Sequence, residues 1–354
     1  MSYRLLRSLF FLLDPETAHY FATSQMARLQ TMPSCLEGVE GIFRSRTARI
    51  SRTVWGLEFQ NPVGIAAGFD KNAELVAFLR ALGFGFVEVG TITLRPQPGN
   101  PRPRMFRFPS QRALINRLGF NNDGAEVVAR RLALIAEDDR ATPERATPIF
   151  ANIGKNRDVS LEDAPRAYLE TYRVIAPWVD GVVINVSSPN TPSLRDLQRP
   201  ENLEEIIRIL VAEREEVRFV RGGRHPILVK IAPDLTDGQL AEIAEVCRNL
   251  SDGMVATNTT VDHSLLGFDP GETGGLSGDP LFRTSTDLLR RLREAAGPGY
   301  PLIGVGGIRT GAQALEKLEA GADLIQAYTG FIYEGPSFPR RLMESLAKAE
   351  ESRR

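Results

Sequence analysis

Pro226-Ile227-Leu228-Val229-Lys230-Ile231-Ala232, then the stretch Asp237–Leu250, then Gly253-Met254-Val255-Ala256-Thr257-Asn258: the reading of this passage decides the fold. Its two ends are short, β-rich and apolar almost without a break, and its middle reads as an amphipathic helix. Continuous rather than alternating apolar character is what parallel strands buried on both faces require. Working outward, the same unit recurs. The eight strand-like runs are Pro62–Ala67, Phe84–Gly90, Pro148–Ile153, Gly181–Val186, Pro226–Ala232, Gly253–Asn258, Pro301–Gly306 and Ala322–Tyr328. Helices are predicted over Glu74–Leu82, Gly124–Glu137, Leu161–Trp178, Glu201–Val220, Asp237–Leu250, Arg283–Ala296, Gly311–Ala320 and Phe338–Ala349, with a polar loop at 138–147. A doubly wound open sheet would show the same alternation. The count of eight, and the lack of an early Gly-x-Gly-x-x-Gly turn, favour an α/β fold of the (β/α)8 barrel type.

Barrels of this kind collect their chemistry at the C-terminal ends of the strands. Here those ends carry Ala67-Gly68-Phe69-Asp70-Lys71, Gly90-Thr91, Asn152, Asn185 with Ser187-Ser188-Pro189-Asn190, Lys230, Thr257-Asn258-Thr259, Gly304-Val305-Gly306-Gly307 and Tyr328-Thr329-Gly330. Any one of these has a plain explanation, because Asn and Ser-Pro form turns and glycines serve backbone geometry. All eight together point to a site. Loops after the seventh and eighth strands of many barrels cradle a phosphate through backbone N–H groups. Gly306-Gly307-Ile308-Arg309-Thr310 and Thr329-Gly330 suit that role. Position alone therefore predicts a phosphate-bearing ligand without naming it.

The 354 residues are 42% hydrophobic and 25% charged, which is enough to bury a sizeable core, and a net charge of −1 gives no basic field for nucleic acid. Cys35 and Cys247, with His19, His225 and His263, show no metal-ligand or redox spacing, so no metal is expected. The apolar run Leu5–Leu13 is broken by Arg7 and falls short of the ~18 residues that span a bilayer. It leads into Asp14-Pro15, an N-cap and first-turn pair, rather than into a signal-peptide cleavage site. Two short helices are predicted, about residues 2–13 and 15–30. Residues 1–54 hold seven arginines (4, 7, 28, 44, 46, 49, 52) against four acids (14, 16, 37, 40). Such a pair can lie in a membrane interface, or it can simply pack on the body of the protein.

Several motifs carry a resemblance. Ala67-Gly68-Phe69-Asp70-Lys71-Asn72, Arg95–Arg104, Ile115–Asn122, Asn152–Asn156, Asn185–Pro192, Lys230–Leu235, Ala256–Thr260, Gly274–Gly278 and Gly304–Ile308 look like those of dihydroorotate dehydrogenases, in order, from about residue 3 to 335. The serine in the fourth-strand loop and the helical extension resemble the quinone-linked class, and this tilts the extension toward a membrane role. The resemblance implies one FMN per chain and oxidation of (S)-dihydroorotate to orotate in de novo pyrimidine biosynthesis. A proton leaves C5 for a serine base, a hydride leaves C6 for FMN, and a membrane quinone takes the electrons. Another FMN-barrel pyrimidine oxidoreductase, or a catalytically silent membrane-bound barrel, would be the alternatives.

By the same resemblance Ser188 is the base, working as a relay because a bare serine is a poor one. Lys71, Asn116, Arg117, Leu118, Gly119, Phe120, Asn185, Asn190, Asn258 and Thr259 are expected around substrate, and Ser187 has only a structural role. Ala67, Gly68, Thr91, Asn152, Asn185, Lys230 and Thr257 are expected around the flavin ring; Gly278, Gly307, Tyr328 and Thr329 fall on its phosphate side. His19, Arg107 and Tyr328 match the quinone end of a tunnel. The implied organisation is a helical quinone-access extension over 1–38 and a catalytic barrel over 45–354. The extension would contact lipid peripherally at the cytoplasmic face of the inner membrane. Two positions depart from the family pattern. Leu94 replaces a common proline, and Ser193 replaces a common glycine in the loop that carries Ser188, where it would stiffen the loop.

Overall fold

A computed structural model describes residues 3–44, 50–143, 146–217, 219–220 and 224–352. The expected helix start at residue 2, the expected unit limits at 1, 45 and 354, Arg46, Arg49, Glu144 and Arg145 of the polar loop, and Arg218 lie outside the described residues.

The passage Pro226–Asn258 folds as read. Strand β5 (Ile227–Ile231) and strand β6 (Gly253–Ala256) pair in parallel, and every residue of both is buried. Helix α8 (Asp237–Leu250) joins them. It starts at a capping box, in which Thr236 Oγ1 accepts the Gln239 N–H, and it buries Leu240, Ile243, Ala244 and Cys247 on the single stripe that a 3.6-residue repeat dictates. The other barrel strands are β1 (Val63–Ile65), β2 (Phe86–Ile92), β3 (Ile149–Ile153), β4 (Gly181–Asn185), β7 (Leu302–Val305) and β8 (Leu324–Ala327). All eight are parallel, and β8 pairs with β1 to close the barrel. An outer ring is formed by α4 (Val76–Ala81), α5 (Ala125–Ala141), α6 (Ala164–Ile175), α7 (Pro200–Arg214), α8, α9 (Phe282–Ala296), α10 (Gly311–Glu319) and α12 (Phe338–Glu351). The short α11 (Thr329–Glu334) follows β8 directly.

The two ends of the barrel differ in kind. At the N-terminal end an acid ahead of one strand receives the first N–H of the strand before it. Asp180 binds Ile149 N at 2.8 Å, Asp252 binds Ile227 N at 2.9 Å and Asp323 binds Leu302 N at 2.8 Å. A two-stranded hairpin, Arg52–Val54 with Leu57–Phe59, plugs this end. Its Trp55 and Phe59 pack on Phe86 and Phe150 at the starts of β2 and β3, and Trp55 Nε1 donates to Asp252 O at 2.7 Å. This end is a stability device. The other end is covered by a three-stranded antiparallel sheet built from Met105–Phe108, Ala113–Asn116 and Gly275–Gly278.

Both expected N-terminal helices are present, as α1 (Tyr3–Phe10) and α2 (Pro15–Gln30), and Asp14 caps α2 by accepting the Thr17 N–H at 2.9 Å. A third, α3 (Pro33–Phe43), follows, so the expected limit at residue 38 falls inside a helix. Its Gly38 and Gly41 weaken intrinsic helix propensity, and packing on α4 and α2 supplies what the sequence lacks.

Candidate active site

The C-terminal strand ends surround one open-mouthed cleft. Its floor is polar because of a charge that apolar patterning would not place there. Glu88, in the middle of β2, has no exposed surface, and its two carboxylate oxygens accept Asn152 Nδ2 at 2.7 Å and Gln326 Nε2 at 2.6 Å. Lys230 reaches the same carboxylate from β5, with Nζ 3.5 Å from Oε1. Asn152 Oδ1 then accepts Thr91 Oγ1 at 2.5 Å and Asn185 Nδ2 at 3.0 Å, so β2, β3 and β4 are tied side chain to side chain. Asn185 Oδ1 takes the Ser187 hydroxyl at 3.1 Å, and Ser187 Oγ accepts Asn258 Nδ2 at 3.0 Å. Ser187 thus links Asn185 to Asn258.

Ser188 turns to the cleft instead. Its Oγ accepts the backbone N–H of Asn190 at 3.3 Å, and among the described residues no carboxylate or imidazole bonds to it. The loop that carries it is clamped from behind by Arg195, which donates to Ser187 O at 3.2 Å, Thr259 O at 3.1 Å and Asp234 Oδ2 at 2.8 Å. Ser193 in this loop has φ of 53°, a left-handed conformation that glycine adopts freely and serine does not. Leu94, the other departure, is half-buried, and its carbonyl accepts the Ala125 N–H at 3.2 Å. Asn190 Nδ2 donates to Asn116 Oδ1 at 3.2 Å, which joins this loop to the sheet over the mouth.

Ala67, Gly68, Lys71, Leu118, Gly119, Phe120, Thr257, Asn258 and Thr259 also line the cleft, and Gly278, Gly307, Tyr328 and Thr329 line its glycine-rich end. Four expected residues do not line it. Asn152 lies beneath, within the polar floor. Arg117 faces away, paired with Glu272 at 2.6 Å and 4.5 Å from the Phe106 ring centroid. Arg107 stacks 4.5 Å from the Phe11 centroid and donates to the carbonyls of Phe10 and Leu13. His19 sits on α2, edge-on to Phe69 at 5.4 Å, and Phe69 in turn meets Tyr328 at 5.8 Å, so aromatic contacts run from α2 to the cleft. Sequence reasoning missed Glu88 and Gln326. A lone acid inside the buried run Phe86-Val87-Glu88-Val89 was the available signal.

Electrostatics join the extension to the site. Burial pushes Lys71 down to about 8, with Glu16 working in the other direction. Burial, and next the charge of Lys71, depress His19 to about 3, so its imidazole is neutral at ordinary pH. Burial opposes ionisation of Glu16 on α2, but hydrogen bonds and charge from Arg104, then charge from Arg102 and Lys71, outweigh it and hold its pKa below the usual range. The Glu16–Arg104 pair is 2.7 Å long and both side chains are 5% exposed.

The comparisons agree with one another. Residues 49–349 match the family model described as dihydroorotate dehydrogenase. A protein of Christiangramia forsetii named dihydroorotate dehydrogenase (quinone) is 44% identical over 97% of both chains. One of Acidithiobacillus ferrooxidans with the same name is 44% identical over 98% of this chain and 94% of its own. The ligand-free crystal structure of DHODH from Eimeria tenella superposes with a TM-score of 0.88 at 38% identity, covering 96% of each chain. The crystal structure of that organism's DHODH in complex with ferulenol also gives 0.88, and covers 92% of that chain.

The buried pair between α2 and the barrel generates a prediction. Glu16→Ala removes the only carboxylate that Arg104 pairs with among the described residues, leaving it the carbonyls of Pro98 and Asn100, and should cost about 3 kcal/mol locally. Hydrogen exchange should quicken in Pro15–Gln30 and stay slow in the barrel strands. Unchanged protection of α2 would show that the pair does not hold the extension down.

Proposed function

The chain belongs to the dihydroorotate dehydrogenase family, and from that premise we propose how its site works. The protein oxidises (S)-dihydroorotate to orotate in de novo pyrimidine biosynthesis, with a quinone as acceptor. The cofactor we assign is FMN, one per chain, and the donor set supports it. One end of the cleft offers amides, hydroxyls and the Lys230 ammonium, which suit a polar heteroaromatic ring. The other offers backbone at Gly278, Gly306 and Gly307, all at positive φ, with the first turn of α11, whose leading N–H groups have no partner inside the helix. When bound, FMN supplies the two-electron acceptor.

The rest falls to side chains. Lys71 gives the substrate carboxylate a positive partner, and Asn116, Asn190, Asn258 and Thr259 supply donors and acceptors for the ring amides without adding net charge. Ser188 Oγ takes the C5 proton as it passes its own hydroxyl proton to a neighbouring hydroxyl or a solvent water, because among the described residues no cationic group stands in hydrogen-bond reach of a free alkoxide here. Lys230, paired with Glu88 at 3.5 Å, would place its ammonium beside the flavin ring and would favour negative charge there. The one observation that carries this reading is that Ser188, Lys71, Lys230 and the three asparagines line one cleft.

For the quinone we propose the side of α1–α3. Among the described residues no helix is long and apolar enough to cross a membrane. Yet Leu5, Leu6, Leu9, Leu12, Leu13, Phe21, Met32 and Ile42 are exposed on this unit. Apolar surface gathered on short helices fits the interface of a bilayer, here the cytoplasmic face of the inner membrane. His19, Arg107 and Tyr328 would then stand between lipid and cleft.

Three outcomes follow. Ser188→Ala should keep the flavin and slow its anaerobic reduction by dihydroorotate by ~10²–10⁴ in stopped flow, and a near-normal rate would remove Ser188 as base. Lys71 is charged below about 8, so KM for dihydroorotate should rise as pH climbs through that value while Ser188-dependent chemistry persists. A flat KM from pH 7 to 9.5 would contradict the carboxylate contact. Replacing exposed Leu9 and Leu12 together by Glu should abolish sedimentation with anionic vesicles and leave anaerobic reduction unchanged. Full retention on vesicles would place the membrane contact elsewhere.

A further inference from the structure

Lys317 on α10 has no exposed surface, and among the described residues no carboxylate lies within ion-pair distance of it. Its Nζ donates to Ser285 Oγ at 2.7 Å and to Val305 O at 3.3 Å, and lies 5.6 Å from the centroid of the Phe282 ring. These partners build the turn after β7. Ser285 Oγ, with one proton to donate, is within reach of Phe282 O at 3.1 Å and Gly306 O at 3.2 Å, and Gly306 and Gly307 hold φ of 113° and 72°. A Cβ added at Gly307 would stand 2.5 Å from Phe282 Cα, so turn and helix α9 are in direct backbone contact. Val305, Gly306 and Gly307 also line the glycine-rich end of the cleft. The ammonium is therefore one residue layer behind the wall of the site.

A buried, unpaired ammonium is expensive, and an apolar side chain of the same length would fill the space without that penalty. The two carboxylates that act on it, Glu316 and Asp287, do not remove the cost. Glu316 is committed to Arg290 at 2.9 Å and Arg283 at 3.5 Å, and Asp287 to Arg290 at 2.5 Å. Burial brings the Lys317 pKa down to about 7, with Glu316 raising it, Arg290 lowering it and Asp287 raising it by lesser amounts. Held by a hydroxyl, a carbonyl and a ring face, Lys317 is braced against a glycine turn and has no carboxylate partner among the described residues.

We propose that Lys317 is the buried counter-charge for the phosphate end of the FMN site, a positioning residue that acts through the Val305–Gly307 turn without touching the ligand. The inference rests on the FMN assignment above, and it makes the phosphate, rather than the ring, the group that Lys317 recognises. Riboflavin has the ring and lacks the phosphate, so it is the probe. Holoprotein dialysed against rising riboflavin gives the ratio of the FMN and riboflavin affinities. That ratio should fall roughly tenfold or more in Lys317→Met, the size expected of one unscreened charge near a dianion. Lys317→Gln, which keeps a donor for Val305 O, should show the same fall. General loosening of the fold weakens both ligands alike and leaves the ratio untouched. A ratio unchanged in both variants overturns the role of Lys317 while FMN stands. A wild-type protein that does not prefer FMN over riboflavin overturns the FMN assignment and this inference with it.

Discussion

Glu88 and Lys230 are brought into the barrel from opposite walls, and the polar mouth is arranged around that necessity. A carboxylate with no exposed surface is tolerable only if its charge is met and its lone pairs are filled. Lys230 does the first at 3.5 Å, and Asn152 and Gln326 do the second at 2.7 and 2.6 Å. Each partner then needs partners of its own. Asn152 binds Thr91 and Asn185, and Asn185 binds Ser187, which leads to Asn258. The chain of obligations crosses six strands or strand ends and finishes beside Ser188. Gln326 Oε1 alone in this network is buried without a partner among the described residues, and a network so nearly satisfied is rigid, which is what a catalytic constellation demands of its support.

The barrel separates support from chemistry along its axis. Phe59, Phe86 and Phe150 with Trp55 fill the closed end, where Asp180, Asp252 and Asp323 knot adjoining strands together. The open end holds amides, lysines and glycines. The N-terminal helices are fastened on that side by Glu16 with Arg104 and by Tyr3 and Arg7, which donate to the carbonyls of Ile332 and Tyr333. An exposed apolar surface is thereby held next to the cleft by specific polar contacts.

Much of this was legible from sequence, for a physical reason. Strands buried on both faces write continuous apolar runs, so all eight can be found without knowing which strand neighbours which. The three-stranded mouth sheet was not legible, because Gly275–Gly278 pairs with Ala113–Asn116 from far along the chain, and four-residue strands leave little pattern. The hairpin at the closed end turns through Trp55 and Gly56 at φ of 56° and 76°, and a tryptophan gives no warning of a left-handed residue. The family resemblance named Arg117 for the substrate, yet its side chain is spent on Glu272 and Phe106. Ser193 holds a left-handed backbone at φ of 53°, a conformation that glycine adopts without strain.

The central claim is that this cleft binds FMN and delivers the electrons of dihydroorotate to it. Spectroscopy of the purified protein under anaerobic conditions tests it most directly. The expected result is a yellow protein that releases one FMN per chain on denaturation and is bleached on mixing with dihydroorotate, with orotate formed in equal amount. A flavin-loaded protein that keeps its colour in excess dihydroorotate would contradict it.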